Sequence, residues 1–231
     1  MSLTRDSIRD GVLQRMIEES GCPIRLTTEA ERHASILAML GGRRTPPEDV
    51  WVFGYGSLIW NPAFHFAERR LGTLHGWHRR FCLWTPLGRG TPECPGLVLG
   101  LDRGGACRGV AFRVRAAEAW EELDIVWRRE MVSDGYLPRW TRVRTDAGEV
   151  RAIAFTINRE AARYAGKLSV PEAASVIARA TGRLGTCAQY LLSTVEHLED
   201  LGIPDRRLRA LRDHVVAATE QSPAASAAGA E

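Results

Sequence analysis

The residues best suited to chemistry lie in a glycine-containing turn, Val52-Phe53-Gly54-Tyr55-Gly56-Ser57-Leu58. A β-branched and aromatic run precedes it and predicts a strand over Val50–Phe53 that stops at Gly54. We expect the two glycines to allow positive φ and close approach of the backbone to a ligand. Consecutive N–H groups in such a turn can hold a carboxylate or a developing oxyanion. The alternative is a tight structural turn with Tyr55 in the core, and the pattern alone favours neither.

The turn does not match the common phosphate or nucleophile motifs. It lacks the Gly-Lys-Ser/Thr of a Walker loop and the spacing of G-x-G-x-x-G. Leu58 and Ile59 follow Ser57, so the segment is not G-x-S-x-G either. Ser57 is therefore not expected to be an elbow nucleophile.

Glu130 is the carboxylate that the pattern places on a buried helix face. In the predicted helix Ala116–Met131, apolar residues recur at i, i+3 and i+7, namely Trp120, Leu123 and Trp127. Glu130 falls on the same stripe, where burial against two indoles raises the pKa of a carboxyl toward that of a general base. Three other carboxylates are expected in solvent: Glu118, Glu121 and Glu122. The alternatives for Glu130 are an ion pair with an arginine or an outward-pointing last turn.

A third group combines polar and aromatic side chains. Its members are Arg80, Trp84, Arg89, Tyr136 and Tyr190. Arg-Gly-Thr-Pro-Glu at 89–93 forms a loop able to cover a small site. Each residue alone is more often structural, and a buried tyrosine hydroxyl needs a partner, which is either protein or ligand.

Composition excludes several classes of protein. The chain has 231 residues, 45% hydrophobic and 26% charged, which predicts one or two ordinary globular domains. The net charge of +3 and the short arginine pairs, which we expect on solvated faces, do not indicate nucleic-acid binding. No apolar run is long enough to span a membrane, and the N-terminus has no signal-like apolar region. We therefore expect a cytoplasmic protein.

Cysteine and histidine spacing argues against a metal site and a disulfide framework. The five cysteines are odd in number and have no C-x-x-C spacing. His75 and His78 lack an evident third ligand. Each cysteine is expected to be a small buried hydrophobe rather than a nucleophile.

Helices flank a region of strands. Thr28-x-x-Glu31 predicts a capping box for a helix that ends at Gly41-Gly42, followed by a stiff linker at 45–49. The predicted strands are 71–83, 96–101, 109–114, 139–145 and 150–157, the last two forming a hairpin. Three helices follow at 171–181, 187–201 and 204–218, with Pro171 and Pro204 in first turns. The order indicates an α+β fold with an antiparallel or barrel-like sheet, and 222–231 is expected to be disordered.

At three motifs the sequence resembles the ChaC family, the glutathione-specific γ-glutamylcyclotransferases. They are Val-Phe-Gly-Tyr-Gly-Ser-Leu-Ile-Trp-Asn-Pro at 52–62, Arg-Gly-Thr-Pro-Glu-x-Pro-Gly-Leu-Val-Leu-Gly-Leu at 89–101, and Arg-Arg-Glu-Met at 128–131 with Tyr136 and Pro-Arg-Trp at 138–140. The similarity covers about residues 48–217, in the expected order.

The resemblance implies a γ-glutamylcyclotransferase-like β-barrel with flanking helices. It divides the chain into a helical arm at 1–47, the family domain at 48–218 and a tail at 219–231. It implies a lyase that cleaves glutathione to 5-oxoproline and cysteinylglycine, with no metal and no cofactor. The segment Val52–Leu58 then binds the γ-glutamyl group and Glu130 is the acid/base, while Arg80, Tyr136 and Tyr190 are further substrate contacts. Cys187 departs from the family, which often has Asn at that position.

Other functions stay open from the sequence. Related cyclotransferases act on γ-glutamyl amino acids or γ-glutamylamines, and residues 80–95 do not decide between these substrates. A non-catalytic γ-glutamyl-binding module is the third possibility, although the acid Glu130 is present. The expected partner is a small molecule, with no nucleic acid and no membrane, and the expected state is a monomer or a weak homodimer.

Overall fold

The structure is a computed structural model that describes residues 3–220. The described residues divide into two compact units: Phe81–Val98 with residues 165–220, and residues 3–80 with Leu99–Tyr164. The helices are α1 (Arg5–Arg9), α2 (Val12–Glu19), α3 (Glu29–Met39), α4 (Ala119–Glu130), α5 (Val170–Arg179), α6 (Cys187–Asp200) and α7 (Arg206–Glu220). The strands are β1 (Val50–Gly54), β2 (Glu68–Thr85), β3 (Gly96–Val114), β4 (Tyr136–Thr145), β5 (Gly148–Ile157), β6 (Thr181–Gly182) and β7 (Gly185–Thr186).

Five strands close into a barrel in the order β1-β3-β2-β4-β5. Strand β1 is central to the site because it pairs antiparallel with β3 on one side and parallel with β5 on the other. Strands β4 and β5 form the predicted hairpin, from Tyr136↔Ile157 to Thr145↔Gly148. Gly148 has φ 106°, which only glycine adopts readily. The predicted α+β class with a barrel and flanking helices is confirmed.

The N-terminal arm packs on α4, the helix that ends at Glu130. Near the start of α4, Arg5 forms a two-pronged ion pair with Glu122, with N–O distances of 2.5 and 2.8 Å. One turn before the helix ends, the Trp127 indole N–H donates to Ser35 Oγ over 3.0 Å. The arm therefore restrains α4 at both ends.

Helix α3 of the N-terminal arm begins and ends at the predicted capping residues. Thr28 Oγ1 accepts from the Glu31 N–H at 3.2 Å, and the Glu31 carboxylate accepts from the Thr28 N–H at 2.8 Å. Gly41 and Gly42 follow the helix with φ of 65° and 80°. The predicted capping box and stop signal of α3 are both confirmed.

The first unit contains α5, α6, α7 and the short β6-β7 hairpin. Its helices α5 and α6 both begin with capping boxes, at Ser169 and Thr186. The Cys187 thiol donates to the Leu97 carbonyl over 3.0 Å and accepts from the Leu97 N–H over 3.4 Å. These two bonds tie the start of α6 to β3.

Two predicted element boundaries are wrong. The separate strands 96–101 and 109–114 are one continuous strand, because the Gly104-Gly105 pair takes positive φ within β3 instead of ending it. Pro204 lies before α7 rather than in its first turn. The Asp205 carboxylate accepts from the N–H groups of Arg207 and Leu208, at 3.0 and 3.2 Å, and so begins the helix.

The burial predicted along α4 is wrong at two positions. Trp120 is half-exposed, with its ring against His33 and the Arg44 guanidinium. Glu122 is buried instead of solvated, because Arg5 neutralises its charge. The stripe itself is confirmed at Leu123 and Trp127, which are fully buried.

The arginine pair at 79–80 is not a solvated face. Arg79 is buried, and its guanidinium donates to the Arg108 carbonyl within the second unit. Among residues 3–220, no helix has the length and apolar character needed to cross a bilayer. The tail predicted to be disordered, 222–231, lies outside the described residues.

Candidate active site

The glycine-containing turn begins where β1 leaves the barrel. Val52 and Phe53 have backbone partners on both sides, in β3 and β5, and their side chains are fully buried. Pairing with β5 ends at Phe53, and Gly54 is the last residue of the strand. Val52 and Phe53 therefore support the turn from within the core, and Gly54 is the last residue paired with a neighbouring strand. Substrate contact by Val52–Leu58 stays a prediction.

Tyr55 anchors the turn to the barrel. Its buried hydroxyl donates to the Phe155 carbonyl over 2.9 Å. The Phe155 ring packs edge-to-face on Trp127 of α4, with ring centroids 5.0 Å apart. The core role considered for the Tyr55 side chain is thus correct, and it places the turn and α4 against the same strand.

The expectation of positive φ at the two glycines is wrong, because neither Gly54 nor Gly56 takes it. Position 54 requires glycine because there is no room for a Cβ. A Cβ there would lie 3.0 Å from Phe112 Cε2 and 3.2 Å from Leu58 Cβ, both closer than ordinary contact. The turn packs tightly on the barrel at this residue.

Backbone donors are left free by the turn. The Gly56 carbonyl accepts from the Ile59 N–H at 2.8 Å and the Ser57 carbonyl from the Asn61 N–H at 2.9 Å, which is a helix-like turn. Within residues 3–220, the N–H groups of Gly56, Ser57 and Leu58 donate to no protein acceptor. Unused N–H groups at the start of such a turn favour an anion.

Glu130 is the last residue of α4 and its side chain is only 14% exposed. Burial raises the pKa of this carboxyl, and the neighbouring Arg129 guanidinium opposes the rise. The Arg129 Nε lies 3.2 Å from Glu130 Oε1. Glu130 lies on the buried side of the helix, as predicted, and it is also ion-paired with Arg129. Its role as an acid/base stays a prediction. A carboxyl with a raised pKa can take and return a proton near neutral pH.

Arg129 connects Glu130 to the turn, a role that the sequence analysis did not assign to it. Its Nη2 donates to Ser57 Oγ over 2.6 Å, and its Nη1 donates to the Asn61 carbonyl over 2.5 Å. Two signals were present: the motif Arg-Arg-Glu-Met at 128–131 includes Arg129, and an ion pair with an arginine was one alternative for Glu130. The contact itself joins segments far apart in the chain.

Arg80 and Tyr136 both have protein partners in the second unit. Arg80 Nη1 lies 3.5 Å from Oδ2 of the buried Asp102, which also accepts from Arg159. The Tyr136 hydroxyl donates to the Leu99 carbonyl over 2.6 Å. That these two residues contact a substrate stays a prediction.

Tyr190 belongs to the first unit, on α6. Its ring packs edge-to-face on Phe81, with centroids 5.7 Å apart, and the Arg89 guanidinium lies 5.6 Å from the ring centroid. Arg89 also donates to the Thr186 carbonyl at 3.3 Å, and burial lowers its pKa. Substrate contact by Tyr190 likewise stays a prediction.

Cys187, at the start of α6, is poorly suited to nucleophilic chemistry. Burial raises the pKa of its thiol to about 11, so the group is protonated at neutral pH. Its two bonds to Leu97 are of the kind that an amide side chain can also make. Within residues 3–220, no group of three or more histidine, cysteine or acidic side chains is arranged to hold a metal ion.

Comparison with known proteins relates this chain to one family. The family model described as ChaC-like protein matches residues 50–218. A glutathione-specific γ-glutamylcyclotransferase of Escherichia coli is 43% identical over 196 residues, covering 84% of this chain and 83% of the relative. The glutathione-specific γ-glutamylcyclotransferase 1 of Danio rerio is 35% identical over 161 residues, covering 68% of this chain and 82% of the relative.

Solved structures show the same fold. The crystal structure of a selenomethionine-labelled γ-glutamyl cyclotransferase specific to glutathione from yeast superposes with a TM-score of 0.69 at 22% identity. It covers 75% of this chain and 98% of the yeast chain.

Proposed function

Because the chain belongs to the ChaC-like protein family, we propose that it is a glutathione-specific γ-glutamylcyclotransferase. It is a lyase that converts glutathione into 5-oxoproline and L-cysteinylglycine. The observation that carries the proposal is the pairing of a buried carboxyl, Glu130, with a turn that presents free N–H groups from Gly56 to Leu58. The names and identities of the relatives support the choice of glutathione.

The substrate supplies its own nucleophile. The α-amine of the γ-glutamyl group attacks the γ-carbonyl carbon and closes a five-membered lactam, so no water and no covalent enzyme intermediate are required. Ring closure is unimolecular, and the site accelerates it by selecting the bent conformer. At neutral pH the amine is an ammonium, so a base must first remove a proton.

Glu130 performs the proton transfers. As a carboxylate it takes one proton from the ammonium, and as a carboxylic acid it gives that proton to the nitrogen of the departing cysteinylglycine, whose C–N bond breaks as the carbonyl re-forms. The ring nitrogen still carries a second proton, which the Glu130 carboxylate takes and passes to the cysteinylglycine amine, so atoms and charge balance. The raised pKa makes Glu130 a stronger base than an exposed glutamate.

The turn stabilises negative charge. Its N–H groups at Gly56, Ser57 and Leu58 are fixed by the barrel, so they bind the α-carboxylate or the oxyanion without reorganisation. Removing one such donor typically costs about 10²- to 10³-fold in kcat.

The direct test is incubation of the purified chain with millimolar reduced glutathione and EDTA. We expect equal amounts of 5-oxoproline and cysteinylglycine, quantified by mass spectrometry. Glu130→Gln should give no product while its circular dichroism is unchanged. Glu121→Gln, an exposed carboxylate on the same helix, is the matched control and should retain wild-type turnover.

Each negative result has a separate meaning. Wild-type turnover by a folded Glu130→Gln would remove Glu130 from the mechanism. No product from folded wild type would direct the test to γ-glutamylalanine and γ-glutamylamines. Binding of glutathione without turnover of any of these substrates would favour a γ-glutamyl-binding module.

The proposed setting is the cytoplasm, with the chain acting as a monomer or weak homodimer and without metal or cofactor. All five cysteines are free thiols, as expected in a reducing compartment. Turnover in EDTA tests metal independence, and light scattering after size exclusion tests the oligomeric state.

A further inference from the structure

Arg129 joins two parts of the proposed site that come from different segments. Its Nε lies 3.2 Å from the Glu130 carboxylate, its Nη2 contacts Ser57 Oγ at 2.6 Å, and its Nη1 contacts the Asn61 carbonyl at 2.5 Å. All three guanidinium nitrogens therefore have protein partners, and the side chain is only 6% exposed. A guanidinium engaged in this way acts through its neighbours rather than on a ligand.

The contact between Arg129 and Ser57 determines where the Ser57 hydroxyl proton points. A guanidinium can only donate, so Ser57 Oγ must accept. The hydroxyl proton then has to point elsewhere, and it donates to no acceptor in residues 3–220. Ser57 is half-buried and lies in the same turn as the free N–H groups. Its O–H is thus a spare donor beside them.

Resting on the proposed function, we propose that Arg129 is a positioning residue for this reaction. Its guanidinium commits the Ser57 hydroxyl to donate toward the substrate and fixes the Glu130 carboxylate relative to that hydroxyl. The planar fork of arginine suits this role because one rigid group reaches three acceptors. Lysine, with a single ammonium on a flexible stem, can replace the charge but not the geometry.

The proposal predicts separable effects of charge and geometry. Arg129→Met should lower kcat about 10²-fold, the scale of a small misplacement of reacting groups. It should also move the acid limb of kcat/KM to higher pH, since the guanidinium that stabilises the ionised form of Glu130 is gone. Arg129→Lys should restore the position of the acid limb while kcat stays reduced.

Two controls separate this role from general damage. Arg128→Met is the matched control, since Arg128 pairs with Asp124 at 2.6 Å, and it should leave kcat and the acid limb unchanged. Ser57→Ala should lower kcat without moving the acid limb, because it removes a neutral donor. The combined Ser57→Ala and Arg129→Met variant should lose less than the product of the two single effects, because both act through one hydroxyl.

Titration of the Glu130 carboxyl by NMR tests the proposal without any turnover of substrate. In protein carrying 13C-labelled glutamate carboxyls, the Glu130 signal is assigned by its loss in Glu130→Gln and titrated in wild type and Arg129→Met. A higher midpoint in the variant supports the proposal even if glutathione is not the substrate.

A Glu130 titration midpoint that is the same in Arg129→Met as in wild type overturns the proposal. So does a loss of kcat that is equal at every pH, or single-variant effects that simply multiply. If Arg129→Met does not fold, Arg129→Lys and Ser57→Ala decide the question. An Arg129→Lys variant with wild-type kcat then overturns the geometric role. Absence of product from folded wild type would instead count against the proposed function alone.

Discussion

The thiols of Cys187 and Cys94 lie in different environments and should differ in reactivity. Cys187 is fully buried, and burial raises its pKa to about 11, whereas Cys94 is exposed. We expect iodoacetamide at pH 8 to alkylate Cys94 and to leave Cys187 unmodified in the folded protein. Peptide mass spectrometry measures both, and urea should make Cys187 reactive. Native alkylation of Cys187 would contradict its burial.

Gly54 lies where the barrel leaves no room for a side chain. Its hypothetical Cβ lies 3.0 Å from Phe112 and 3.2 Å from Leu58, in a packed part of the barrel. We expect Gly54→Ala to lower the free energy of unfolding by about 1–3 kcal/mol, the usual cost of overpacking. Urea unfolding measures this change. Glu48→Ala, at an exposed position just before the same strand, is the control and should cost less. Equal stability of Gly54→Ala and wild type would contradict the packing argument.

Single residues were predictable where one element carries the signal. Helical spacing placed Glu130 on the buried side of α4 because Leu123 and Trp127 mark that side. Arg129 was not predictable in the same way, since its partner Ser57 lies 72 residues away and meets it only after folding. Periodicity describes one helix and does not show what another segment brings to it.

At the scale of elements, the ion pair between α1 and α4 should stabilise the fold. Arg5 neutralises the buried Glu122, and the Arg5 guanidinium and the His65 N–H hold the pKa of Glu122 below its usual value against the effect of burial. We expect Arg5→Met to lower the free energy of unfolding at pH 7 by about 3 kcal/mol, since it leaves a buried charge unpaired. Urea unfolding at pH 7 measures the loss.

The pH dependence of that loss has a definite sign. A lowered carboxyl pKa contributes stability above the unfolded-state value, near 4.5 for glutamate, and the contribution is lost as pH falls through the folded-state pKa. The difference between wild type and Arg5→Met should therefore shrink as the pH falls below that value. In a Glu122→Gln background, Arg5→Met should cost little at any pH. An undiminished cost there would show that packing, not charge, is lost.

Element boundaries were predictable where the signal is local. The capping box of α3 and the turn of the β4-β5 hairpin each depend on a few neighbouring residues. The predicted helix start at Pro204 was wrong because the Asp205 side chain caps the first turn of a helix that begins at Arg206. The break expected within β3 was wrong because the Gly104-Gly105 pair takes positive φ without interrupting the strand.

At the scale of the whole molecule, the strand order of the barrel depends on contacts between distant segments. Composition and element order indicated an α+β fold, but the parallel pairing of β1 with β5 has no local signal. The resemblance to known motifs supplied the barrel that element order alone left open. The packing of the N-terminal arm on α4 had no sequence signal either, because Ser35 and Trp127 meet only in the folded chain.

Ligand binding should stabilise the whole chain independently of turnover. Glu130→Gln removes the proposed base but keeps the free N–H groups of the turn, so it should still bind glutathione without consuming it. At a hundred times Kd, such binding adds about 2.7 kcal/mol to the free energy of unfolding. For a chain of this size that corresponds to a rise in Tm of roughly 5–11 °C. Differential scanning fluorimetry measures the shift.

Cysteinylglycine, which lacks the γ-glutamyl group, is the control ligand for that experiment. It should shift Tm much less than glutathione, because the turn is assigned to the γ-glutamyl end of the substrate. Equal shifts with both compounds would place recognition on the cysteinylglycine end instead. No shift with glutathione, while wild type turns it over, would mean that Glu130 is needed for binding as well as for proton transfer.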